Sequence, residues 1–163
     1  MANFVANTIQ VHIAAWDSRN MEYKFLALKR SKNNPIYPEI WQAITGTIEG
    51  KETAIECAIR EVKEETGLQV KEIWTVPFVA IFFDPYQDAV NASPVFGVVV
   101  DFSETIKISP EHETFQWLTL EKFIELVPLP SHKIGAKYFW EHILQHKEKE
   151  MFKYINKEIK KFE

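Results

Sequence analysis

Six glutamates lie within the 23 residues from Gly46 to Leu68, and three of them are spaced to meet on one side of a helix. At about 100° per residue, Glu61, Glu64 and Glu65 gather beside an apolar face. Like charges at this spacing weaken a helix by roughly 0.2–0.5 kcal/mol per pair, and a bound cation would reverse that penalty. Oxygen ligands suit Mg²⁺ or Mn²⁺, which also bind substrate phosphates. The spacing therefore predicts a divalent metal site.

A second interpretation of these acids is a solvated surface helix, in which Arg60 and Lys63 supply the counter-charges. The glycine turn before the helix favours the metal site. Glu52 also favours it, because this residue precedes Arg60 by eight positions and can pair with it. Such an ion pair would fix the turn against the helix.

The order and spacing of these residues form one longer pattern. Five residues separate Gly46 from Glu52, and seven separate Glu52 from the run Arg60-Glu61-Val62. One residue then precedes Glu64-Glu65, and one more precedes Gly67-Leu68. This pattern is similar to the full Nudix box, with all nine specified positions filled, and is far more specific than a lone glycine motif. The resemblance implies the Nudix fold, an α/β/α sandwich around a mixed sheet. It also implies hydrolysis of a nucleoside diphosphate linked to another moiety, with Mg²⁺ or Mn²⁺ as cofactor.

The resemblance also implies roles for individual residues. The metal would be bound, directly or through water, by the carboxylates of Glu61, Glu64 and Glu65, with the carbonyl of Gly46 as a further ligand. Glu61 is the expected base that deprotonates the attacking water. The expected catalytic set comprises Glu61, Glu64, Glu111, Arg60 and Glu52, in which Arg60 and Glu52 orient the loop and the helix rather than contact phosphorus.

A second acidic segment, residues 110–118, resembles the Nudix segment in which a loop glutamate completes the metal site or serves as base. Glu111 is the better match and Glu113 is the alternative, although an exposed acid in a polar turn explains either residue equally well. We expect His112 to be a loop or partly buried histidine. Cys57 is expected to fill a small packing site rather than act as a nucleophile.

The start of the box distinguishes branches of the family. Many Nudix proteins have Pro-Gly-Gly there, whereas this chain has Ile44-Thr45-Gly46. Together with segments 41–46, 60–65 and 111–118, this feature resembles the branch of dihydroneopterin triphosphate and dATP pyrophosphohydrolases. The implied products are a nucleoside or pterin monophosphate and pyrophosphate.

Three residues, Arg30, Trp41 and Tyr86, are selected as candidates for substrate binding from a slightly larger set. Arg30, at the end of a predicted strand, could reach phosphate, as could Lys32, and a solvated strand end is the alternative. Aromatic residues such as Trp41, Phe82, Phe83 and Tyr86 could stack on a base or pterin, and core packing is the alternative for aromatic residues in this chain.

Two other functions stay open at this point. Tyr86 stands eighteen positions after Leu68, near where diadenosine polyphosphate hydrolases carry a tyrosine, but the opening of the box is of the wrong type for them. A non-catalytic nucleotide-binding Nudix module belongs to a different class, and the intact carboxylate set argues against it. A third interpretation is an acidic structural domain that binds no nucleotide.

The elements that must position these residues follow from periodicity and turn signals. We expect strands at 8–15, 23–29, 41–46, 73–83, 95–102 and 115–118, helices at 53–66, at 120–126 and from Ser131 onward, and a turn-rich connection that includes 84–86 and 91–94. Thr53 and Glu56 form a capping-box pattern, and Gly67 stands where a C-terminal cap is expected. This order suggests an α/β fold with hairpins in a mixed sheet, formed by one domain over residues 1–163.

The last predicted element is an amphipathic helix at residues 147–163. Phe152, Ile155, Ile159 and Phe162 recur there at helical spacing among many charges. Packing on the domain is the favoured role of this helix, and contact with a second subunit in a homodimer is the alternative.

Composition limits the remaining classes. The chain is 46% apolar and carries a formal charge of -4, which argues against a broad nucleic-acid-binding surface. Its single cysteine excludes an intrachain disulfide and fits a reducing compartment, so a cytoplasmic protein is expected. No basic segment followed by an apolar run opens the sequence, and no apolar stretch is long enough to span a bilayer. We therefore expect a small phosphorylated substrate as the partner, and neither nucleic acid nor a membrane.

Overall fold

The computed structural model describes residues 1–146 and 148–154, which form a mixed α/β structure. The strands are β1 (Asn3–Val5), β2 (Thr8–Asp17), β3 (Glu22–Arg30), β4 (Trp41–Gln42), β5 (Ile44–Thr47), β6 (Ile73–Asp84), β7 (Ala89–Val100) and β8 (His112–Leu118). The helices are α1 (Ala54–Thr66), α2 (Leu120–Leu126) and α3 (Pro130–Phe139), followed by a π-helical turn (Trp140–Leu144) and a 3₁₀ turn (Lys149–Phe152).

The eight strands form one mixed sheet with β2 near its centre. β7 runs parallel to β2 along one edge, and β6 pairs antiparallel with β7. The other edge of β2 is shared, since its first half pairs with β5 and its second half with β3. β3 in turn pairs with β4 and with β8. The sheet therefore divides beside β2, between β5 and the group of β3, β4 and β8.

Helices cover both faces of this sheet, because successive residues of β2 point to opposite sides. Ile9, Val11 and Ile13 belong to the apolar core that also contains buried residues of α1. Ala14 belongs to the second core, which contains Phe123 of α2, with buried residues of α3. The predicted α/β/α sandwich around a mixed sheet is confirmed.

The ends of α1 follow from its sequence. The Thr53 hydroxyl accepts a hydrogen bond from the amide of Glu56 at 3.2 Å, and the Glu56 carboxylate accepts one from the amide of Thr53 at 2.7 Å. Gly67 ends the helix in the left-handed region at φ 73°, where a side chain would be strained. Both predicted caps are confirmed, so the position of the acidic residues along the helix is set locally.

One predicted turn is wrong. Residues 91–94 lie inside β7, which begins at Ala89 rather than near Val95. Pro94 is tolerated there because it pairs with Val79 at the point where the β6 ladder shifts register, between Thr75 and Val79. The β6–β7 hairpin is therefore longer than the sequence predicts.

The C-terminal segment differs from the predicted continuous helix where the structure describes it. Residues 149–152 form a 3₁₀ turn, and Lys153 then makes an antiparallel bridge with Trp74 at the edge of β6. Lys147 and residues 155–163, which belong to the same predicted helix, lie outside the described residues. Among the helices that are described, none has the length and apolar character needed to cross a membrane.

Candidate active site

Gly46 and Glu61 bring strand β5 and helix α1 into direct contact. A Cβ atom at Gly46 would lie 2.6 Å from Oε1 of Glu61 and would overlap the rest of that side chain. The glycine of the box is therefore required by the close approach of a carboxylate to the strand. The contact places the carboxylate of Glu61 against the residue whose carbonyl is the predicted further metal ligand.

Arg60 joins the loop before α1 to the carboxylates of the helix. Its Nε and Nη2 donate to the two carboxylate oxygens of Glu52 at 3.1 and 2.7 Å, and Nη2 also donates to the carbonyl of Thr47 at 3.0 Å. Nη1 donates to Glu61 at 2.8 Å and to Glu64 at 3.1 Å. The hydrogen bonds from Arg60 hold the pKa of Glu52 at about 2. The structure thus brings Arg60 and Glu52 together in the predicted ion pair.

Glu65 is the most deeply buried acid of the group. Burial is the main cause that raises its pKa to about 9, followed by the negative charges of Glu61 and Glu111 and by a hydrogen bond shared with Glu61. Its Oε2 lies 3.8 Å from Nδ1 of His112, and neither atom has a hydrogen-bond partner among the described residues. At neutral pH Glu65 is therefore a protonated acid in the absence of a cation.

Glu61 and Glu64 occupy different environments on α1. Burial raises the pKa of Glu61, the hydrogen bond from Arg60 opposes that effect, and the charges of Glu64 and Glu111 add to it. Glu64 is more than half exposed and its carboxylate is paired with Arg60. Glu61 and Glu65 thus form the buried part of the carboxylate group, with Glu64 at its exposed border.

Backbone hydrogen bonds bring the loop of Glu111 to the same place. The amides of Lys107 and Ser109 donate to carbonyls in the last turn of α1, at 2.8 and 3.3 Å. The carbonyl of Glu111 accepts from the amide of Ser31 at 2.8 Å. The Glu111 carboxylate is consequently near enough to raise the pKa of both Glu61 and Glu65.

Glu113, the alternative to Glu111, is directed elsewhere. Its carboxylate lies 2.7 Å from Nζ of Lys29. The ladder between β3 and β8 shifts register between Lys29 and Arg30, which pair with Thr114 and His112 respectively, so Glu113 lies in the irregularity. This shift separates the two glutamates, and the structure favours Glu111.

The chemistry of this group fits a hard divalent cation, although the side chains do not converge on one point as they stand. Among residues 1–146 and 148–154, no three acidic, histidine or cysteine side chains are arranged closely enough to hold a metal ion. Glu61, Glu65 and Glu111 nevertheless lie near enough for their charges to act on one another, and Oε2 of Glu65 is buried with no hydrogen-bond partner among the described residues. Because a cation would satisfy that oxygen and relieve the mutual repulsion, these residues fit Mg²⁺ or Mn²⁺.

The three predicted substrate-binding residues lie in different surroundings. Arg30 is close enough to the acids for its charge to lower the pKa of Glu65, and its Nε donates to the carbonyl of Ile36 at 3.0 Å. Trp41 is half-buried in β4 and packs against the second core. Tyr86 is 98% exposed in the turn of the β6–β7 hairpin. The structure brings only Arg30 toward the carboxylate group.

His112 has a more specific position than a loop or partly buried histidine. It is buried at the start of β8, and its Nε2 lies 3.2 Å from the side-chain nitrogen Nε2 of Gln42. Burial and the charge of Arg30 lower its pKa to about 4, so it is neutral at pH 7. The alternation of Glu111, His112 and Glu113 at a strand start was the signal for an inward-facing histidine.

A second buried polar cluster lies on the α3 side of the sheet and was not predicted from the sequence. Nε2 of His12 lies 2.7 Å from the side-chain nitrogen Nε2 of Gln10, and the backbone amide of Ala43 donates to Nδ1 of His132 at 3.0 Å. Burial is the main cause that lowers the pKa of both histidines. Only the alternating pattern of β2 indicates that Gln10 and His12 face inward, and their residue types suggest the opposite.

Cys57 is buried on the inner side of α1. Burial is the main cause that raises the pKa of its thiol to about 12, so it is not a thiolate at neutral pH. This environment agrees with the predicted packing role.

An open groove of about 700 Å³ runs along the outer side of α1. Its lining includes Lys51, Arg60, Lys63 and Glu64, with Ile59 and Val70 as apolar walls. The buried acids Glu61 and Glu65 are outside this lining, so the groove lies beside the carboxylate group and does not contain it.

Two known proteins with different names are similar to parts of this chain. A dihydroneopterin triphosphate diphosphatase from Haemophilus influenzae is 35% identical over 101 residues, which are 55% of this chain and 63% of that protein. An octanoyltransferase from Myxococcus xanthus is 29% identical over 125 residues, which are 72% of this chain. The chain spans about a third of the length of the Myxococcus protein (32%) and less than two thirds of the Haemophilus protein.

A solved structure and a family model cover more of the chain. The structure of the Escherichia coli dihydroneopterin triphosphate pyrophosphohydrolase superposes with a TM-score of 0.67 and 25% identity, covering 81% of this chain and 92% of the other. The model of the NUDIX domain matches residues 8–141, a range that includes β2 to α3, the box and the loop of Glu111. The chain belongs to the NUDIX domain family.

Proposed function

We propose that this protein is a metal-dependent pyrophosphohydrolase. It cleaves a nucleoside triphosphate or dihydroneopterin triphosphate to the monophosphate and pyrophosphate by attack of water at phosphorus. The observation that carries this proposal is the buried Oε2 of Glu65, which has no hydrogen-bond partner among the described residues and belongs to a carboxyl group beside Glu61 and Glu111. Similarity to two dihydroneopterin triphosphate enzymes supports the choice of substrate class.

Glu61, Glu64 and Glu65, with the carbonyl of Gly46, would hold Mg²⁺ or Mn²⁺. The bound cation would supply charge neutralisation at the phosphate oxygens and would lower the pKa of water. In the part of the chain that the structure describes, Oε2 of Glu65 has no hydrogen-bonding counter-charge, so the ionisation of Glu65 would depend on that cation. Glu64 is the most exposed of the three carboxylates and would take the outermost position.

Glu61 is proposed as the base that accepts the proton of the attacking water. Burial raises the pKa of Glu61 above that of an ordinary glutamate, which brings its basicity closer to that required at neutral pH. The hydrogen bond from Arg60 favours the ionised form of this carboxylate and fixes its direction. Glu111 lies on a loop attached to the last turn of α1 and would complete the site.

Arg60 and Glu52 act as positioning residues. Two hydrogen bonds join their side chains, and a third joins Arg60 to the carbonyl of Thr47, next to Gly46. Because Arg60 also donates to Glu61, one guanidinium sets the position of the glycine turn relative to the proposed base.

Arg30 is proposed to contact the substrate phosphates, since its charge already acts on Glu65 and His112. Trp41 is half-buried, and only its exposed part could contact a base or pterin. The exposure of Tyr86 favours a second candidate function, that of a diadenosine polyphosphate hydrolase. Its ring is exposed in a hairpin turn and is free to stack on a base.

The proposed partner is a small phosphorylated molecule rather than nucleic acid or a membrane, in keeping with the formal charge of -4. The single, buried cysteine supports a reducing, cytoplasmic environment.

A panel assay with product identification tests the proposal. Nucleoside triphosphates, dihydroneopterin triphosphate, dinucleoside polyphosphates and ADP-ribose would each be incubated with Mg²⁺ or Mn²⁺, and with chelator as control. We expect pyrophosphate and a monophosphate from the first two classes only. Preference for dinucleoside polyphosphates would select the second candidate, whereas preference for ADP-ribose would overturn the substrate class alone.

Two further outcomes would overturn the enzymatic proposal. Nucleotide binding with no product at any metal concentration would identify a binding module. No thermal shift with metal plus nucleotide, and no turnover, would identify a structural domain.

A further inference from the structure

An apolar surface extends over the end of the β6–β7 hairpin. Phe4, Val79, Ile81 and Phe83 are 70%, 48%, 64% and 55% exposed, and Val90 lies among them half-buried. We call these five residues the hairpin face. Soluble proteins rarely leave neighbouring large apolar side chains of this number exposed without a function for them.

Strand register places the five residues on one side of the sheet. Phe83 pairs with Val90, which pairs in turn with Phe4, so these three side chains form a row across β6, β7 and β1. Ile81 and Val79 follow Phe83 at alternate positions of β6 and therefore point to the same side. Phe82, the residue between Phe83 and Ile81, points to the opposite side.

The charge of the hairpin restricts what can cover this face. Residues 73–100 contain no lysine or arginine, and their only charged residues are Asp84 and Asp88 near the turn. A nucleic acid or an anionic bilayer would find no cation there and would be repelled by both acids. A neutral apolar surface is the chemistry that fits, and the hairpin face is itself such a surface.

The area is sufficient for a second copy. From the exposed fractions, the side chains of the hairpin face present on the order of 400 Å² of apolar surface per chain. Two copies would bury about 800 Å² of apolar surface, which corresponds to roughly 1,300 Å² in total because about 60% of an interface is apolar. Specific protein–protein interfaces bury a total of about 1,200 Å² or more.

We infer that two copies of this chain form a dimer by packing their hairpin faces together about a twofold axis that passes near Ile81 and lies in the interface, perpendicular to β6. Ile81 is the middle residue of the exposed series Val79, Ile81 and Phe83, so an axis there lets each half of the face meet the other half of its copy. The same axis puts the two hairpin turns at opposite ends of the interface. Asp84 and Asp88 of one copy are thereby kept apart from those of the other.

Light scattering after size-exclusion chromatography, over a wide range of concentrations, tests the oligomeric state. We expect twice the chain mass for the unaltered protein and the chain mass for Phe83→Glu. Phe82→Glu is the matched control, because Phe82 is half exposed like Phe83 but lies on the other side of β6, and it should remain dimeric. Deletion of residues 155–163 should also leave the dimer intact.

A cross-linking experiment tests the position of the axis independently of the charge variants. Under mild oxidation Ile81→Cys should form a disulfide-linked dimer, whereas Asp88→Cys in the hairpin turn should not. Cys57 is buried, so the unaltered protein provides a background without an exposed thiol. A monomeric unaltered protein, equal effects of the two phenylalanine variants, or loss of the dimer on deletion of the tail would each overturn the inference.

Discussion

Oε2 of Glu65 and Nδ1 of His112 face each other at 3.8 Å, and both atoms are buried without a hydrogen-bond partner among the described residues. The distance is too long for a hydrogen bond. On the other side of the imidazole, Nε2 of His112 lies within hydrogen-bonding distance of the side-chain nitrogen of Gln42, which holds the ring in place. Oε2 of Glu65 is therefore available to a cation, as the proposed metal site requires. Five predictions concern Glu65 and its surroundings, Arg60 and Gly46.

Replacement of Glu65 by Gln should abolish metal-dependent turnover and leave the protein folded. The amide has nearly the shape of the protonated acid but cannot become a carboxylate ligand. Turnover and thermal unfolding would be measured on the same preparation. Glu113→Gln is the control, since Glu113 is paired with Lys29, and it should keep most of the activity. Full activity of Glu65→Gln would refute the assignment.

Metal affinity should rise with pH below about pH 9. The pKa of Glu65 is raised to about 9, so a cation that binds its carboxylate must displace a proton at neutral pH. Affinity should increase by up to about tenfold per pH unit and level off above the pKa. Calorimetric titration of Mn²⁺ in buffers of different ionisation enthalpy measures the released proton. A pH-independent affinity would contradict this linkage.

The stability of the metal-free protein should pass through a maximum near pH 6.5. His112 and His132 have pKa values lowered to about 4, and the pKa of His12 is lowered as well. Below pH 6.5 the unfolded chain therefore binds more protons at these histidines than the folded chain does, so the free energy of unfolding falls as the pH falls. Glu65 has the opposite sign, because its raised pKa makes the folded chain bind more protons between about 4.5 and 9. Below pH 6.5 the effect of the three histidines on the free energy of unfolding is larger than that of Glu65. Above pH 6.5 the effect of Glu65 is the larger one, so stability declines in both directions.

Urea unfolding at a series of pH values, with chelator present, measures that maximum. Glu65→Gln supplies the control for the alkaline side, since it removes the titrating group and should flatten the decline between pH 6.5 and 9. A decline that persists unchanged in this variant would show that another group causes it.

Arg60→Lys should lower turnover strongly although the positive charge is kept. Lysine cannot bind both oxygens of Glu52 while also donating to Thr47 and Glu61. We expect a loss of stability of about 1–3 kcal/mol, because charge-assisted hydrogen bonds are lost. Steady-state kinetics and urea unfolding would measure the two effects, and a variant with unaltered kcat would argue against a positioning role.

Gly46→Ala should impair turnover, because the added methyl group overlaps the Glu61 side chain and displaces its carboxylate. Gly50→Ala is the matched control. Gly50 has φ 54° with open space around it, so alanine there costs about 1 kcal/mol of backbone strain without meeting a side chain. Kinetics of both variants should show the larger loss for Gly46→Ala, and equal losses would mean that loop strain alone controls activity.

The acids of α1 and both ends of that helix could be predicted because they depend on spacing within one turn or two. Thr53, Glu56 and Gly67 act on backbone groups a few residues away, and Glu61 and Glu65 share a side of the helix through its 3.6-residue period. The pairing of Glu52 with Arg60 could also be predicted from the sequence, since only a short loop and two turns of helix separate the two residues.

Only the tertiary structure decided which distant groups join these acids. The register shift between β3 and β8 sends Glu113 to Lys29 and leaves Glu111 with Glu65, and no local pattern contains that shift. His112 is buried because β8 pairs with β3, and Phe83 is exposed because no described helix covers the end of its hairpin. Sequence periodicity specifies which side of an element a residue occupies, whereas burial and charge depend on what the rest of the chain places opposite that side.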